Sequence, residues 1–406
     1  MFISPPFIFE IDLYREVLLF GDGGQSGKVG LWRVWVRFYF CSSGVSIFYV
    51  GREFWDERVQ VCWEGGGTPL ERGILRLASL FYALGLEARK ETYRLGLKEA
   101  SRLPAPVVSV GNITLGGTGK TPMVAWLAEG FRDRGLKVAI VSRGYGRKDE
   151  GRTLVVSRGR GPLVSPRQGG DEPLMLAKKL SGVMVVVAAR RVEGARLAVE
   201  ELGAELVLLD DGFQHWALNR DLDLVLVSGE EGLGNGRLFP AGPLREPLRA
   251  LKRAHFLVVT KRENPSLRRL LASEAPQAEI FEAPMEGEKL WSPLGGELLP
   301  LGKLKGAKVG AFAGIADPCS FFALLEGYGA EVVEKVTFPD HHFYRRGDLE
   351  VLRGLIPRVD LVVTTEKDWV RLEGLDLGFS PWVLKVVIRP SPRLLDRVLE
   401  RLGMEV

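Results

Sequence analysis

Short apolar runs alternate with amphipathic stretches from residue 106 onward. The runs are VVSV, KVAIVS, VMVVVAA, AELVLLDD, LDLVLVS and HFLVVT, and segments with helical spacing lie near 120–134, 172–181 and 193–202. This alternation is typical of βα units, and continuous Val/Ile/Leu runs are typical of strands buried on both faces. We therefore predict an α/β fold with a mostly parallel sheet flanked by helices.

The pattern changes after Lys261, where the loops become richer in Pro and Gly. A second α/β stretch begins with KVGAFAGI (308–315) and continues to LVVTTEKD (361–368). The sequence thus predicts a first domain over residues 64–262 and a second, smaller α/β domain over residues 263–406, with a boundary near residue 262.

One long amphipathic stretch precedes the first strand. Its apolar residues Leu70, Ile74, Leu77, Phe81 and Leu84 are spaced 4, 3, 4 and 3 apart, which places them on one helical stripe. Cations lie alongside the stripe: Arg72, Arg76, Arg89, Lys90, Arg94 and Lys98. The stripe could pack on a core or bind a membrane interface. Gly85 and Gly96 are expected to divide the helix.

Residues 1–63 differ in composition from the rest of the chain. They hold four of the nine Trp, eight of the twenty Phe and two of the three Cys, without clean helical or strand periodicity. We predict an N-terminal extension of unknown role, which is either an accessory segment or an upstream stretch outside the working protein.

Composition narrows the function classes only slightly. A chain of 406 residues with 46% apolar content can bury at least one full core, and its net charge of +4 comes from scattered cations and acids. That scatter forms no nucleic-acid-binding stripe, but it suits anionic substrates or lipid head groups. Three widely spaced cysteines indicate neither a disulfide framework nor zinc, and no apolar run predicts a spanning helix.

The stretch GNITLGGTGKTP (111–122) has the strand, loop and helix context of a phosphate-binding loop. Its glycines allow backbone N–H groups to face an anion at a helix N-terminus, and Lys120 would reach the β- and γ-phosphates of ATP. Thr114 replaces the usual first glycine, so that position cannot require a positive φ. The alternative is a Gly-rich turn that binds nothing. The predicted ATP-binding residues are Thr114, Gly116, Gly117, Thr118, Gly119, Lys120 and Thr121.

Two carboxylates end the apolar run AELVLLDD. Asp210 and Asp211 stand where a P-loop protein needs an acid to hold Mg²⁺ or its water shell, and the hydroxyl of Thr121 would complete the site. Acids after a buried strand are also ordinary turn residues. Because ligand sites lie at the carboxyl ends of parallel strands, we favour the Mg²⁺ site.

Several motifs together resemble one family, the tetraacyldisaccharide 4'-kinases, also called lipid A 4'-kinases. The matching segments are VGNITLGGTGKTP (110–122), SRGYGR (142–147), GDEPLMLA (170–177), DDGFQH (210–215), LFPAGPLREPL (238–248), FPDHHFY (338–344) and TTEKD (364–368). The threonine at position 114 is similar to the family pattern. Departures are Trp216, where a basic residue is common, and Arg190, where an acid is common.

The resemblance implies a reaction, a substrate and a location. An ATP-dependent kinase of this family transfers the γ-phosphate to the 4'-hydroxyl of an acylated glucosamine disaccharide 1-phosphate. It acts as a peripheral protein at the cytoplasmic face of the inner membrane, with its active site between two α/β domains. A membrane surface is an expected partner, whereas no nucleic acid and no protein partner is expected. A lipid acceptor also favours interfacial binding by residues 69–84.

The resemblance further implies the proton-accepting residues. Asp171 of the GDEP motif is the candidate general base, supported by His341 of the PDH motif, with Lys120 as the third catalytic residue. Contact between the two domains could assemble this pair when a cleft closes. Asp171 could instead be a helix N-cap, since it precedes an apparent helix.

Other motif residues have predicted roles with open alternatives. By resemblance, Glu246 is a metal-linked carboxylate, while the planar fork of Arg245 suits a phosphate or carboxylate, although a surface ion pair is the alternative. Arg143 and Tyr145 either bind substrate or pack a loop. His215 is predicted to lie near the phosphates. Lys367 of TTEKD could neutralise phosphate or pair locally, and it is left out of the catalytic set.

Two other functions compete with the kinase. A P-loop ATPase of the partner-switching type would carry the same GGTGKT, although Leu115 replaces its signature lysine. A nucleotide-sensing membrane scaffold would use the amphipathic helix as an anchor and transfer nothing. The DDGFQH motif argues against the ATPase.

Overall fold

The computed structural model describes residues 7–15, 32–41, 44–49, 52–149 and 151–404. These residues form two compact units, and each is a continuous body in space although not in sequence. One unit contains the chain up to Leu97 together with Gly234–Pro243, and the other contains Lys98–Leu233 and Leu244–Val406.

The first unit contains a small sheet and two helices. Its elements are β1 (Phe7–Arg15), β2 (Trp32–Cys41), β3 (Gly44–Tyr49), α1 (Arg52–Trp63) and α2 (Pro69–Arg94). The strands pair antiparallel in the order β1-β2-β3. Residues 1–63 show no clean strand periodicity in the sequence, yet β1, β2 and β3 all lie within them.

Helix α2 starts at a strong local signal and runs without interruption. Thr68 and Glu71 form a capping box, and Pro69 occupies the first turn, where its missing N–H costs nothing. The prediction that Gly85 divides the helix was wrong. A single glycine costs a helix only about 1 kcal/mol relative to alanine, which the flanking turns outweigh. The helix ends before Gly96, which has a φ of 70°.

The stripe predicted on α2 does not face a core. Leu70, Leu77, Phe81 and Leu84 are all more than half exposed, and Ile74 is half-buried. A different face of the helix contacts the segment 234–243, where the Ser79 hydroxyl bonds to Leu238 O at 2.9 Å. Among the described residues, none of the helices combines the length and apolar character needed to cross a bilayer.

The second unit contains the predicted βα repetition. Its strands are β4 (Val107–Asn112), β5 (Val138–Ser142), β6 (Leu154–Arg158), β7 (Met184–Val187), β8 (Leu206–Asp210), β9 (Leu222–Ser228), β10 (Phe256–Lys261), β11 (Glu279–Trp291), β12 (Leu298–Leu299), β13 (Lys308–Ala313), β14 (Glu331–Thr337), β15 (Leu361–Thr365) and β16 (Trp382–Ile388). Its helices are α3 (Lys120–Asp133), α4 (Pro166–Gly169), α5 (Asp171–Lys179), α6 (Arg191–Glu200), α7 (Pro265–Glu274), α8 (Pro318–Gly327), α9 (Arg346–Arg353), α10 (Glu366–Leu372) and α11 (Pro392–Leu402).

These strands form one mostly parallel sheet. Within the described residues its order is β14-β13-β15-β16-β11-β10-β9-β4-β8-β5-β7-β6, with β12 on the edge of β11. Antiparallel pairing joins β6 to β7 and β11 to both β12 and β16. The predicted α/β class with a P-loop-type parallel sheet flanked by helices is therefore confirmed.

Strand β11 carries the sheet past residue 262. Its first half pairs parallel with β10, and its second half pairs antiparallel with β16, so one long strand borders both predicted domains. The domain boundary near residue 262 stays a prediction, and in this structure that position lies inside the second unit.

Helices cover the sheet on both faces around the central strand β4. Alternate residues of β4 point to opposite sides, so Val108 and Val110 pack with α3, whereas Val107 packs on the side of α6. Both faces are fully buried, which is why the strands contain no polar alternation. This packing places the carboxyl ends of β4, β5 and β8 side by side, where the predicted motifs begin.

Candidate active site

The predicted phosphate loop follows β4 and leads into α3. Gly116 and Gly119 have φ values of 110° and 80°, a conformation that residues with a Cβ rarely adopt. Gly119 is the N-cap of α3, and Lys120 is its first residue, so the free N–H groups of the first turn follow the loop directly. The loop is bonded to strand β10, because the Thr260 hydroxyl donates to Thr118 O at 2.9 Å.

Buried polar atoms at this loop lack partners among the described residues. The hydroxyl of Thr118 and both side-chain polar atoms of Asn112 are enclosed without a hydrogen bond. Leaving such groups unpaired costs about 1–3 kcal/mol each, so their presence indicates that a polar ligand belongs here. Asn112 was not singled out from the sequence, although it lies inside the GNITLGGTGKT segment.

The two aspartates after β8 lie beside Lys120. The Lys120 ammonium is 3.7 Å from Asp211 Oδ1, and Arg245 Nη1 lies 2.9 Å from both oxygens of the same carboxylate. Burial lowers the pKa of Lys120, although the Asp211 charge opposes that shift. Asp211 itself has a φ of 56°, an unusual backbone value for a residue other than glycine.

The paired aspartates differ in their electrostatics. Burial would raise the pKa of Asp211, but the charges of Arg245 and Lys120 hold it well below the ordinary value. Burial, followed by the negative charges of Glu172 and Asp211, raises the pKa of Asp210 to about 7. Asp210 and Asp211 thus present carboxylate oxygens beside the phosphate loop, and oxygen is the ligand type that a divalent cation such as Mg²⁺ prefers.

Glu246 makes different contacts from the two aspartates. Both of its carboxylate oxygens bond to the Arg253 guanidinium at 2.9 Å, and Gln214 donates to Oε1 at 3.1 Å. Arg253 in turn lies over the ring of Trp216 at 4.5 Å. The described residues contain no group of three or more His, Cys, Asp or Glu placed to hold a metal ion. The role of Glu246 at a metal stays a prediction.

Asp171 and His341 are in contact, although 170 residues separate them. His341 Nδ1 lies 3.0 Å from Asp171 Oδ2, and His341 has a φ of 61°. Such a left-handed conformation costs of order 1 kcal/mol or more, and it persists where the surroundings over-determine it, often at functional sites. The helix N-cap is Gly170 rather than Asp171. The carboxylate still accepts the Glu172 N–H at 3.0 Å.

Residues of the TTEKD segment also meet this pair. Lys367 lies 2.7 Å from Glu172 Oε1, and Arg371 bonds to Asp171 Oδ2. Burial would lower the pKa of Lys367, but the charges of Glu172 and Asp340 raise it overall. Sequence reasoning left Lys367 open and missed both Glu172 and Arg371. The motif itself was the available signal, because α10 begins inside TTEKD.

Glu172 connects the two parts of the site electrostatically. Its negative charge acts on Asp210, on Lys120 and on Lys367, which places it between the phosphate loop and the Asp171 region. The structure thus brings together the predicted ATP-binding loop, the paired aspartates and the Asp171–His341 pair.

The SRGYGR loop after β5 supplies a cation and an aromatic ring. Arg143 donates to the Tyr145 hydroxyl at 3.0 Å and lies 4.7 Å from the centre of that ring. Arg191, at the start of α6, is buried, and its Nη2 lies 3.5 Å from Asp211 O. Burial lowers the pKa of Arg191, with the Arg143 charge contributing in the same direction. Sequence reasoning did not assign Arg191 to the site.

A small pocket lies between this loop and the Asp171–His341 pair. Tyr145, Asp171, His341, Phe343 and Arg371 contribute to its walls. Both aromatic rings are about half exposed, at 51% for Tyr145 and 41% for Phe343. An acceptor that enters here would meet the carboxylate of Asp171 directly.

The remaining predicted histidine positions have distinct surroundings. His215 lies in the turn after β8, where its N–H bonds to Gly212 O at 2.9 Å. His342 Nε2 lies 2.9 Å from Asp348, and its ring stacks on Phe338. Both contacts of His342 are thus with residues of its own turn and of the neighbouring helix α9.

A family model and several curated relatives that are similar to this chain share one name. The family model described as Tetraacyldisaccharide-1-P 4'-kinase matches residues 72–403. The tetraacyldisaccharide 4'-kinase of Syntrophus aciditrophicus is 38% identical over 359 residues, which cover 83% of this chain and 95% of that protein. The protein of the same name from Geobacter sulfurreducens is 39% identical over 342 residues, with coverages of 83% and 95%.

A solved structure has a similar fold. LpxK from Aquifex aeolicus, crystallised in complex with ATP, superposes with a TM-score of 0.64 at 33% sequence identity. The match covers 81% of this chain and 99% of that one.

Proposed function

The chain belongs to the tetraacyldisaccharide-1-P 4'-kinase family, and from that premise we propose that it transfers the γ-phosphoryl group of ATP to the 4'-hydroxyl of a tetraacyldisaccharide 1-phosphate, a lipid A precursor. One observation carries the proposal for this chain. A phosphate loop with Lys120 lies beside paired aspartates, and the same unit contains a partly buried Asp171–His341 contact. The two competing functions, a partner-switching ATPase and a nucleotide-sensing scaffold, do not require that contact.

Backbone groups and Lys120 hold the ATP phosphates in this proposal. Gly116, Gly117 and Gly119 expose N–H groups at the start of α3, where the helix dipole also favours an anion. A Cβ at Gly119 would lie 2.7 Å from Met285 Sδ, and the φ of 80° there is one that residues with a side chain rarely adopt. Thr114 and Thr118 complete the loop, and the unpartnered Thr118 hydroxyl supports a polar ligand.

A divalent cation fits the residues beside this loop. Asp210 and Asp211, with the Thr121 hydroxyl, would hold Mg²⁺, because carboxylate and hydroxyl oxygens are the ligands that this ion prefers. When bound, the ion neutralises charge on the phosphate oxygens. In this proposal Glu246 and Arg245 lie farther from the ion than the two aspartates. Glu246 forms an ion pair with Arg253, and Arg245 forms one with Asp211.

Asp171 and His341 receive the proton of the acceptor. As the 4'-oxygen attacks the γ-phosphorus, its proton passes to this pair, and the bond to the ADP oxygen breaks. Burial would raise the pKa of Asp171, but the hydrogen bond from His341 and the Arg371 charge hold it well below the ordinary range. A weakly basic carboxylate suffices, since phosphoryl transfer depends mainly on positioning and charge stabilisation.

Substrate contacts come from the loops around the pair. Arg143 and Tyr145 line the acceptor side, and the Arg143 guanidinium suits an anionic group on the disaccharide. His215 follows the paired aspartates and would lie near the phosphates. These roles agree with the positions of the residues in the SRGYGR and DDGFQH motifs.

The exposed stripe of α2 supports binding to a membrane surface. Leu70, Leu77, Phe81 and Leu84 are exposed apolar groups on a helix that also carries cations, a combination typical of interfacial helices. An acylated acceptor stays in the membrane, so the enzyme must come to it. We place the protein peripherally at the cytoplasmic face of the inner membrane.

Phosphate transfer is tested directly with γ-labelled ATP, Mg²⁺ and the acylated disaccharide 1-phosphate. We expect label on the lipid. Label released only as free phosphate would support the ATPase, and no consumption of ATP would support the scaffold. Either outcome would overturn the proposed kinase activity.

Membrane binding is tested by sedimentation with vesicles that contain anionic lipid. Each large apolar side chain moved from water into an apolar phase contributes about 1.5–3 kcal/mol, so the double variant Leu77→Ser with Phe81→Ser should bind at least about tenfold more weakly. Thr92→Ser, on the same helix, is the matched control. Unchanged sedimentation of the double variant would exclude the exposed stripe of α2 as the membrane-binding surface.

A further inference from the structure

Arg371 is a buried cation that contacts Asp171 of the Asp171–His341 pair. Its side chain is only 1% exposed, and its Nε lies 2.8 Å from Asp171 Oδ2. Nη2 bonds to the same oxygen, so two donors of one planar guanidinium hold a single carboxylate oxygen. His341 Nδ1 shares that oxygen at 3.0 Å.

The Arg371 guanidinium also contacts groups other than Asp171. Nη1 donates to Gly314 O at 2.6 Å and lies 3.2 Å from Asp368 Oδ1. Asp368 is fully buried and also accepts hydrogen bonds from Gly314 N at 3.0 Å and from the Tyr344 hydroxyl at 2.8 Å. Arg371 thus joins its own helix α10 to α5 and to the segment that follows β13.

Gly314 permits this close arrangement. A Cβ at that position would lie 3.0 Å from Asp368 Oδ1 and 3.2 Å from Pro339 O, both closer than ordinary packing allows. The backbone therefore approaches Asp368 only because residue 314 has no side chain. The turn that carries His341 follows Pro339, so the same contact also borders the loop with the catalytic histidine.

We propose that Arg371 is a positioning residue for phosphoryl transfer: held by Asp368 and Gly314, it fixes the Asp171 carboxylate in the orientation that contacts His341. The inference rests on the proposed function, since it assigns a role within the same site. It also gives the TTEKD segment a task, because Asp368 ends that motif and Arg371 follows one helical turn later.

Positioning differs from mere stabilisation in its effect on the carboxylate. Several charged groups face Asp171: Arg371 and Lys367 from α10, His341 and Asp340 from the turn after β14, and Glu172 from its own helix. Of these groups, Arg371 and Lys367 are the cations other than His341. Without the Arg371 guanidinium, the buried carboxylate loses two donors, so it should protonate more readily and rotate more freely.

The first test compares Arg371→Lys and Arg371→Gln with the wild type in the labelled-ATP assay. Lysine keeps the charge but not the planar pair of donors, so kcat should fall about tenfold, whereas glutamine should lower it about 100-fold, the cost of misplacing a catalytic group. The Kd for ATP should stay within about twofold. The acidic limb of the kcat profile should move upward by about one pH unit or more in Arg371→Gln.

Arg353→Gln is the matched control. Arg353 is an exposed arginine of α9 whose guanidinium bonds to the carbonyls of Leu377 and Asp376, so its loss removes two arginine hydrogen bonds at a place away from Asp171. If Arg371→Gln lost only thermal stability, as this control should, and kept the wild-type kcat and pH profile, the positioning role would be refuted.

A second readout is independent of turnover. Water-soluble carbodiimide with glycine methyl ester labels carboxyl groups, and peptide mapping by mass spectrometry follows the label at Asp171. Near pH 5.5, labelling should be about tenfold faster in Arg371→Gln than in the wild type, because protonated and unpaired carboxyls react more readily. Equal rates would reject the inference. If the wild type transferred no phosphate, the proposed function would fail while this labelling still decided the role of Arg371.

Discussion

The phosphate loop and the Asp171–His341 pair lie in one unit but are built in opposite ways. The loop takes its donors from the consecutive residues 114–121, and much of its chemistry belongs to backbone N–H groups. The pair takes its members from α5 and from the turn after β14, and α10 supplies Arg371. The difference suggests that the loop depends on local conformation and the pair depends on packing.

Loss of Lys120 should have the largest effect. Lys120→Met removes the cation beside the phosphates, which should lower kcat/KM by about 1000-fold or more, as loss of a charge-stabilising group does elsewhere. Lys137→Met, at an exposed lysine near Glu205, should change it little. A drop of less than tenfold in the labelled-ATP assay would contradict the role of Lys120.

Asp171→Asn should have the second largest effect. An amide cannot accept the proton, so kcat should fall about 100- to 1000-fold, with unchanged affinity for ATP. Stability should fall too, by about 3 kcal/mol, because the buried Arg371 keeps Asp368 but loses the second of its two carboxylate partners. Chemical denaturation measures the second effect. Normal kcat would exclude Asp171 as proton acceptor, and unchanged stability would contradict the importance of packing.

The pH dependence of the free energy of unfolding tests the electrostatics of the Asp171–His341 pair. The pKa of Asp171 is lower in the folded than in the unfolded protein, so its contribution is fully present above the ordinary aspartate pKa of about 3.9 and is lost as pH falls through the folded value. The wild type and Asp171→Asn should therefore differ equally in free energy of unfolding at about pH 5 and 8. The difference should shrink only below about pH 4. A difference that changed between pH 5 and 8 would contradict the assigned direction.

Thr114→Gly should have the smallest effect. Among the described residues, the non-glycine positions with positive φ are Asp211, Lys261 and His341, so Thr114 needs no glycine-like conformation. We expect kcat and the KM for ATP to stay within about twofold, with about 1 kcal/mol lost in stability from added backbone freedom. A large loss of ATP affinity would show that the loop also depends on this side chain.

Local patterns predicted much of the fold. The apolar runs named every parallel strand around the phosphate loop, from VVSV to HFLVVT, because strands buried on both faces read as unbroken hydrophobic stretches. The start of α3 at Lys120 followed from the Gly-rich loop and Pro122. Gly85 misled the prediction for α2, because one unfavourable residue does not outweigh a long helix.

Side-chain partners were harder to predict. Motif resemblance linked Asp171 to His341, but the sequence provided no reason to link Asp171 to Arg371, 200 residues away. Similarly, Lys367 could have paired with its neighbours Glu366 or Asp368, and it pairs instead with Glu172 on another helix. Charge and spacing along the chain cannot distinguish such partners, because the distance between helices is set by the sheet that carries them.

By itself, the sequence determined the strand and helix segments, the phosphate loop and the residue types available for phosphoryl transfer, since these follow from patterns among residues near each other in the chain. The tertiary structure decided which charged groups share the buried space behind the catalytic pair. The physical reason is burial: a carboxylate removed from water must find its partners within hydrogen-bond distance, and only the packing of α10 against α5 brings Arg371 to Asp171.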